Sequence, residues 1–211
     1  MRLVINNLLL TLLLVCFANV ATAEETSFAR QHLPFGISIE IPSHWNVLSR
    51  SDQKNIAAAG DAMLEDAGIE GPSGKKESLL VVKALPEPAG AIIRVSAIRP
   101  PEFTQAELAS LTESDLIELR KEMAAKLKKL EASGGPKILE VYPLRVEKMN
   151  NYLIFVMSYT KRSTKESSLW LVTQYKIPTS NRLVEVTLSH RQSDSIVWKP
   201  ILGRVKRSLR F

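Results

Sequence analysis

Cysteine is almost absent from this chain: the only one among its 211 residues is Cys16. If residues 1–23 are removed, as argued below, the remaining chain contains no thiol at all. Thiol catalysis, cysteine metal sites, disulfides and redox relays are then excluded. The folded domain must therefore take its stability from core packing, even in an oxidising compartment where disulfides would persist.

A long run of lysine and arginine interleaved with aromatic residues is also missing. The chain has 28 Lys and Arg against 22 Asp and Glu, a formal net charge of +6. Such a modest excess, spread along the sequence, does not favour nucleic-acid binding, which needs a concentrated basic surface. We expect no nucleic-acid partner.

Motifs of catalysis and metal binding are absent as well. The three histidines, His32, His44 and His190, lack the i, i+4 spacing that places two ligands on one helix face. No serine lies in a G-x-S-x-G elbow, and Ser73 in the loop 71–76 lacks the spacing of a phosphate-binding loop. We therefore predict no catalytic residue, no metal site and no cofactor, and an enzyme would need a site assembled from distant residues.

The amino-terminal segment has the features of a signal peptide. Arg2 precedes an apolar run over 8–17, and small residues end at Ala23. A positive start, a short apolar core and an A-x-A site predict cleavage between Ala23 and Glu24, whereas a retained anchor needs about 20 apolar residues. We predict an exported protein, in the periplasm first and extracellular as the alternative.

The remaining chain is predicted to be a polar leader over 24–33 followed by one domain over 34–211. In 34–42 the residues Phe35, Ile37, Ile39 and Ile41 alternate with small or polar ones, which predicts a strand with one buried face. Further strands are predicted over 79–82, 91–98, 138–146, 152–159, 169–177 and 183–188.

Capping residues predict the helices between these strands. One helix begins near Ser51 or Asp52 and ends at Gly68. Two capping boxes start a short and a long helix, Thr104 with Glu107 and Thr112 with Asp115. In the longer helix an apolar stripe recurs at helical spacing, consisting of Leu116, Leu119, Met123, Leu127 and Leu130.

The last helix is predicted over 194–209, with its regular part beginning near Trp198 or kinked there by Pro200. Its apolar arc consists of Val197, Trp198, Ile201, Val205 and Leu209. The opposite arc carries Lys199, Lys206, Arg207 and Arg210, which is either a solvated back or a surface for an anionic partner. Four cations at about 1 kcal/mol each give only millimolar affinity for anionic lipid, so we expect at most weak peripheral membrane contact.

The strand predicted over 152–159 is apolar on both faces. Layers must therefore cover the sheet on both sides. The predicted fold class is α+β, with an antiparallel sheet of about six to eight strands flanked by helices in an α/β/α sandwich.

Both ends of this domain resemble PsbP/DcrB-like proteins. The opening pattern over 34–45, with Pro42, Ser43, His44 and Trp45 after the strand, is similar to their first strand and turn. The close over 198–211 is similar to their last helix. The resemblance implies an α/β/α sandwich and a binding or assembly role, and it assigns no functional residue.

Three functions stay open on these grounds. The first is a non-enzymatic accessory protein of the cell envelope that binds a protein partner or supports assembly. The alternative is a binder of an apolar small molecule or lipid between sheet and helices. The third is a hydrolase whose site is assembled from distant residues.

Export is testable on the protein from its native cells. We expect the mature chain to begin at Glu24, as measured by intact mass and amino-terminal sequencing of an envelope fraction. An uncleaved chain recovered from the cytosol would contradict the signal-peptide interpretation.

Overall fold

The computed structural model describes residues 26–162 and 168–211. The predicted signal peptide and its cleavage position, Ala23 and Glu24, lie outside the described residues.

Ten strands and four α-helices make up the described part of the chain. The strands are β1 Phe28–His32, β2 Ser38–Pro42, β3 Asn46–Val47, β4 Lys75–Lys83, β5 Ala91–Arg99, β6 Lys137–Val141, β7 Arg145–Met149, β8 Tyr152–Arg162, β9 Leu169–Pro178 and β10 Leu183–Arg191. The helices are α1 Arg50–Asp66, α2 Gln105–Ser110, α3 Glu113–Ala132 and α4 Ser195–Ser208. Two 3-10 turns cover Pro34–Gly36 and Gln192–Asp194.

Eight of these strands form one antiparallel sheet. Its order is β3-β4-β5-β10-β9-β8-β6, and β7 pairs with the other half of β8. Strands β1 and β2 form a separate antiparallel hairpin. The fold class predicted from the sequence, α+β with an antiparallel sheet of six to eight strands, is confirmed.

The front face of the sheet is covered by the β1–β2 hairpin together with α4. Ile37, Ile39 and Ile41 are at most 2% exposed and share one core with Val205 and Leu209 of the helix side. The chain end is part of this layer, because the backbones of Ser38 and Arg210 exchange two hydrogen bonds of 3.0 Å. The hairpin and the carboxyl-terminal residues are thus joined by backbone hydrogen bonds over the front face of the sheet.

The back face is covered by α1, α2 and α3. Leu108 of α2 and Leu144 form a second core with Phe155 and Met157, which lie on β8. Since Ile154 and Val156 on the same strand belong to the front core, β8 is apolar on both sides, as predicted. The α/β/α arrangement is therefore observed.

The amino-terminal region differs from the sequence-based prediction. Strand β1 lies within 24–33, predicted to be a polar leader, and it pairs with β2 from Phe28↔Pro42 to His32↔Ser38. Its stability comes from the ladder and from the 2.8 Å ion pair between Arg30 and Glu40, so no apolar pattern marks it.

Phe35 also differs, because it was predicted on the buried face of the strand. It sits in the 3-10 turn at φ 72°, next to Gly36 at φ 76°, and is 36% exposed. Pro34 and Gly36 favour a turn over ladder pairing. The ring packs instead between the guanidinium groups of Arg99 and Arg182, 4.3 and 4.1 Å from its centroid.

Two elements near prolines also differ. The predicted strand 138–146 is two strands, β6 and β7, because Pro143 has no N–H for the ladder. The last helix, predicted over 194–209, is confirmed as α4, but its regular part begins at Ser195 and runs through Pro200 rather than beginning near Trp198. Because Pro200 has no N–H, the Ile196 carbonyl lacks its partner within the helix. The side chain of Ile196 is 88% exposed, so this first turn faces solvent.

Both predicted capping boxes are confirmed. The Thr104 hydroxyl accepts from the Glu107 N–H at 3.2 Å, and the Glu107 carboxylate accepts from the Thr104 N–H at 2.6 Å. Thr112 and Asp115 repeat this arrangement at the start of α3. Helix α1 is capped by Ser49 rather than by the predicted Ser51 or Asp52.

Because the carboxyl-terminal residues belong to the front core, we predict that shortening one of their side chains lowers stability. Leu209 is fully buried, so Leu209→Ala should lower the free energy of unfolding by about 2–5 kcal/mol. Leu139, 43% exposed on β6, supplies the control Leu139→Ala, with an effect of about 0.5 kcal/mol or less. Urea unfolding followed by circular dichroism measures both, and equal effects would show that the end does not belong to the core.

Candidate functional site

The candidate site is a groove between the back face of the central strands and helices α1, α2 and α3, here called the back groove. Its wider part is a cavity of about 730 Å³ beneath α3. Its narrower part, about 560 Å³, lies beneath α1. The two parts are continuous because they share lining residues, namely Leu64, Lys76, Tyr159, Gln174 and Glu185.

The groove is open because α3 is fastened at the sheet edge and not over the sheet centre. The guanidinium of Arg120 donates to the Val141 carbonyl from Nε at 2.8 Å and from Nη2 at 2.5 Å. The Glu131 carboxylate accepts from the Ile138 N–H at 3.1 Å. Both partners lie on the edge strand β6, so space remains above the inner strands β9 and β10.

The apolar stripe predicted on α3 forms the wall of the wider cavity. None of the side chains of α3 is fully buried. Leu119, Met123, Leu127 and Leu130 line the cavity, facing Phe155 and Met157 of β8. The stripe packs in part against the second core, through Leu116, Leu119 and Met123, and it borders the cavity along the rest of the helix.

A charged row crosses the groove floor. The Glu185 carboxylate pairs with the ammonium groups of Lys76 at 2.6 Å and Lys176 at 3.2 Å, and Lys176 also reaches Glu102 at 3.3 Å. Burial alone would raise the pKa of Glu185, but the two lysines outweigh it and hold that pKa below its ordinary value. The carboxylate is therefore ionised at neutral pH and already neutralised by its neighbours.

The narrower part of the groove contains two further cations, Arg94 on β5 and Lys161 on β8. Loss of surrounding water lowers the pKa of both, and the charge of Arg94 lowers that of Lys161 further. Burial raises the pKa of Tyr159 beside them, and Arg94 partly offsets this. Within 26–162 and 168–211, neither cation forms a hydrogen bond or an ion pair with another side chain.

Arg94 was not identified from the sequence, although a signal for it exists. It is a charged residue inside the predicted strand 91–98, where Ile93 and Val95 mark the opposite, fully apolar face. When helices cover a sheet, a cation on the strand face opposite the fully apolar one points into the space between sheet and helices. What the sequence could not supply is its neighbour Lys161, which lies three strands away.

The predicted basic surface of the last helix is only partly assembled. Lys206 is not on a solvated back, because its ammonium pairs with Glu147 at 2.5 Å and lies 4.8 Å from the Tyr175 ring centroid. It follows buried Val205 by about 100° around the helix, at the border of the packed arc. Val197, predicted in that arc, is 51% exposed.

The other three predicted cations, Lys199, Arg207 and Arg210, are exposed. The Arg210 guanidinium donates to the backbone carbonyls of Arg207 at 2.9 Å and Leu209 at 2.7 Å. Their use as a surface for an anionic partner stays a prediction.

The three histidines differ in burial and in their contacts. His32 and His44 are exposed. His190 is buried, and its Nε2 lies 3.1 Å from the Ser195 hydroxyl, which itself donates to the Gln192 carbonyl at 2.8 Å. Burial, followed by the charge of Lys199, lowers the pKa of His190. With the Ser195 hydroxyl donating to the Gln192 carbonyl, the tautomer of His190 that carries its proton on Nε2 satisfies both side chains.

The three tryptophans occupy two environments. The rings of Trp45 and Trp198 meet edge to face at 5.7 Å in the front layer. Trp170 is 8% exposed and lies in the floor of the narrower part of the back groove. Two of the three are thus packing residues of the front layer, and Trp170 borders the back groove.

Known structures identify the architecture. The solution structure of cyanobacterial PsbP from Synechocystis matches with a TM-score of 0.51 and 12% identity, over 92% of this chain and 98% of that one. The chain has the PsbP fold. The resemblance seen in the sequence is therefore confirmed for the fold, and at 12% identity it says nothing of function. A scan against family models and a search of curated proteins give no match.

Two further structures match more weakly. LpqN from Mycobacterium tuberculosis, described as involved in cell envelope biogenesis, has a TM-score of 0.44 and 8% identity over 87% of this chain and 89% of LpqN. PA94 from Pseudomonas aeruginosa, a protein of unknown function and putative regulator, has a TM-score of 0.36 and 13% identity over 87% of this chain and 96% of PA94. Likeness at this level carries no argument.

Residues 26–162 and 168–211 contain no group of three or more His, Cys, Asp or Glu side chains placed to hold a metal ion. None of their helices combines the length and apolar character needed to cross a membrane.

The charged row predicts a pH-dependent stability. Glu185→Gln should lower the free energy of unfolding at pH 7 by about 1–3 kcal/mol, because it leaves Lys76 and Lys176 without their shared carboxylate. A carboxyl whose pKa is lowered by folding stabilises above its ordinary value, 4.5, and loses this contribution as the pH falls through the lowered pKa. The difference between variant and parent should therefore shrink below about pH 4.5.

Glu77→Gln is the control, because Glu77 lies in the same sheet but is 50% exposed, 3.8 Å from Arg99. Its effect should be about 0–1 kcal/mol. Urea unfolding of both variants between pH 3 and 7 measures the difference, and a pH-independent loss for Glu185→Gln would contradict the assignment.

Proposed function

We propose that this chain is an exported, non-enzymatic accessory protein that binds an apolar small molecule or lipid chain in its back groove. The observation that carries the proposal is the cavity of about 730 Å³ walled by the apolar stripe of α3. Small-molecule sites are typically concave, mostly apolar and roughly 300–1,000 Å³ in volume. The sequence left two binding roles open, one for a protein partner and one for an apolar ligand between sheet and helices. The cavity supports the second.

The energetics favour an apolar occupant. Leu119, Met123 and Leu127 are half-buried without a ligand, and each methylene group placed against them gains about 0.8 kcal/mol. A chain of ten methylenes would gain about 8 kcal/mol by this measure, before the loss of its own freedom is subtracted. This suffices for specific binding without any covalent chemistry.

Export and the lack of catalysis rest on separate observations. The sequence of 1–23 supports transport to the periplasm or beyond. The hydrogen bonds of Ser195, described above, support a structural role for the Ser195–His190 pair. A protein partner in the envelope stays a prediction, and the back groove neither requires nor contradicts it.

Filling the cavity tests the proposal. Met123→Trp places a larger apolar side chain in the wider cavity and should weaken binding of a fluorescent long-chain fatty acid at least about tenfold, the equivalent of roughly two lost methylene contacts. The measurement is a fluorescence titration of the purified protein, with circular dichroism to show that the variant is folded.

Ile117→Trp is the matched control. Ile117 lies on the same helix, is 52% exposed and is not among the residues that line the groove. Its variant should bind the fatty acid like the parent. Equal binding by parent and Met123→Trp, or no binding by the parent, would overturn the back groove as the site.

A further inference from the structure

The two cations in the narrower part of the groove are brought together by the sheet from distant parts of the chain. Arg94 on β5 pairs in register with Thr187 on β10, and Lys161 on β8 pairs with Trp170 on β9. Strands β10 and β9 separate the two, and Lys161 lies four residues along β8 from Met157, the residue in line with Arg94. At the usual strand spacing and rise per residue, their backbones are about 19 Å apart. Both side chains are long, and both line the same cavity.

Polar and apolar residues share the floor between these cations, with Val172 and Trp170 on β9. Thr187 and Ser189 line the cavity on β10, and the Tyr159 side chain lies on the Lys161 side. Two cations facing one cavity repel each other, and an anion between them would remove that repulsion while gaining hydrogen bonds to both. The hydroxyl groups of Thr187 and Tyr159 add donors that suit a carboxylate or phosphate, whereas that of Ser189 donates to the Ile92 carbonyl at 3.4 Å.

The carboxylates nearby do not already fill this role. Glu185 is paired with Lys76 and Lys176, as described above. Asp61 of α1 lines the same cavity on the opposite wall, and it forms no ion pair with Arg94 or Lys161 in the described structure. Within the described residues, Arg94 and Lys161 are therefore two buried cations of the groove that no carboxylate neutralises.

This cationic end opens into the apolar cavity beneath α3, through the shared lining at Leu64 and Tyr159. We propose that the back groove binds a single-chain amphiphile whose anionic head group lies between Arg94 and Lys161 and whose apolar chain extends along α3. The inference rests on the proposed function and deepens it, because it gives the ligand a charge and an orientation. Polar groups fix the orientation of a ligand, and apolar contact supplies most of its affinity.

Two lipids that differ only in charge test the head-group site. The probes are 1-myristoyl lysophosphatidate and 1-myristoyl glycerol, which share the glycerol and the acyl chain and differ by the phosphate. Calorimetric titration below the micellar concentration should show the parent binding the phosphate-bearing lipid about 10–100-fold more tightly, as expected for charge-assisted hydrogen bonds. Inorganic phosphate alone should bind at least 100-fold more weakly than lysophosphatidate, because it lacks the chain.

Charge-removing variants locate the head group. Arg94→Gln and Lys161→Gln should each reduce the preference for lysophosphatidate at least about fivefold while leaving the affinity for myristoyl glycerol unchanged. Lys121→Gln is the control, since Lys121 is exposed on α3 and does not line the groove. It should keep both affinities.

The possible outcomes distinguish the anionic head-group site from the proposed function, the binding of an apolar chain in the back groove. Binding of neither lipid overturns both. Equal binding of the two lipids by the parent leaves the apolar groove standing and overturns the anionic head group. Lys126 is another cation lining the wider cavity, and loss of the preference in Lys126→Gln but not in Arg94→Gln would overturn the orientation. Phosphate binding as tight as that of lysophosphatidate would replace the amphiphile with a free anion.

Discussion

The sheet is apolar on both faces, and this constraint shapes everything built around it. On β8 alone, Ile154 and Val156 face one core while Phe155 and Met157 face the other. Apolar surface on both sides demands two covering layers. The chain meets this demand unequally: the front layer is packed tightly by the hairpin and α4, whereas the back layer is held at its margins and leaves the groove. A firm front core allows an open back without loss of the fold, since one well-packed face already supplies much of the buried apolar area.

Electrostatics divides the groove floor into two zones. Glu185 sits between Lys76 and Lys176, so the middle of the floor is polar but close to neutral. The cationic zone lies beyond it, at Arg94 and Lys161. A carboxylate so close to a cationic pair would repel an entering anion if its own charge were unbalanced. By balancing the charge of Glu185, Lys76 and Lys176 reduce its repulsion of an anion that enters the neighbouring cationic zone.

The helices and strands were predicted well, because their signals are local in the sequence. Features that depend on tertiary contacts were predicted poorly. The capping boxes at Thr104 and Thr112 depend on residues three apart, so one sequence contains them completely. Strand β1 has no apolar pattern because its partner strand and an ion pair hold it, and Lys206 is neutralised by Glu147 from a distant strand. The stripe of α3 was found from its period, but periodicity does not tell whether an apolar face meets protein or empty space. The place of the groove, between sheet and helices, was predicted from the two-sided strand, but the cationic pair could not be predicted, since Arg94 and Lys161 line one cavity only once four strands are in order.

The two edges of the eight-stranded sheet differ. One is divided between β6 and β7, which Pro143 separates. At the other, the two-residue strand β3 pairs only with Val82 and Lys83 of β4, so residues 75–80 of β4 have no strand partner on that side within the described structure. A long free edge is the usual template for pairing with another chain, and charged side chains on it oppose such pairing. Lys75, Lys76 and Glu77 place three charges at the start of this open stretch, so a visiting strand would have to bring charges that match them.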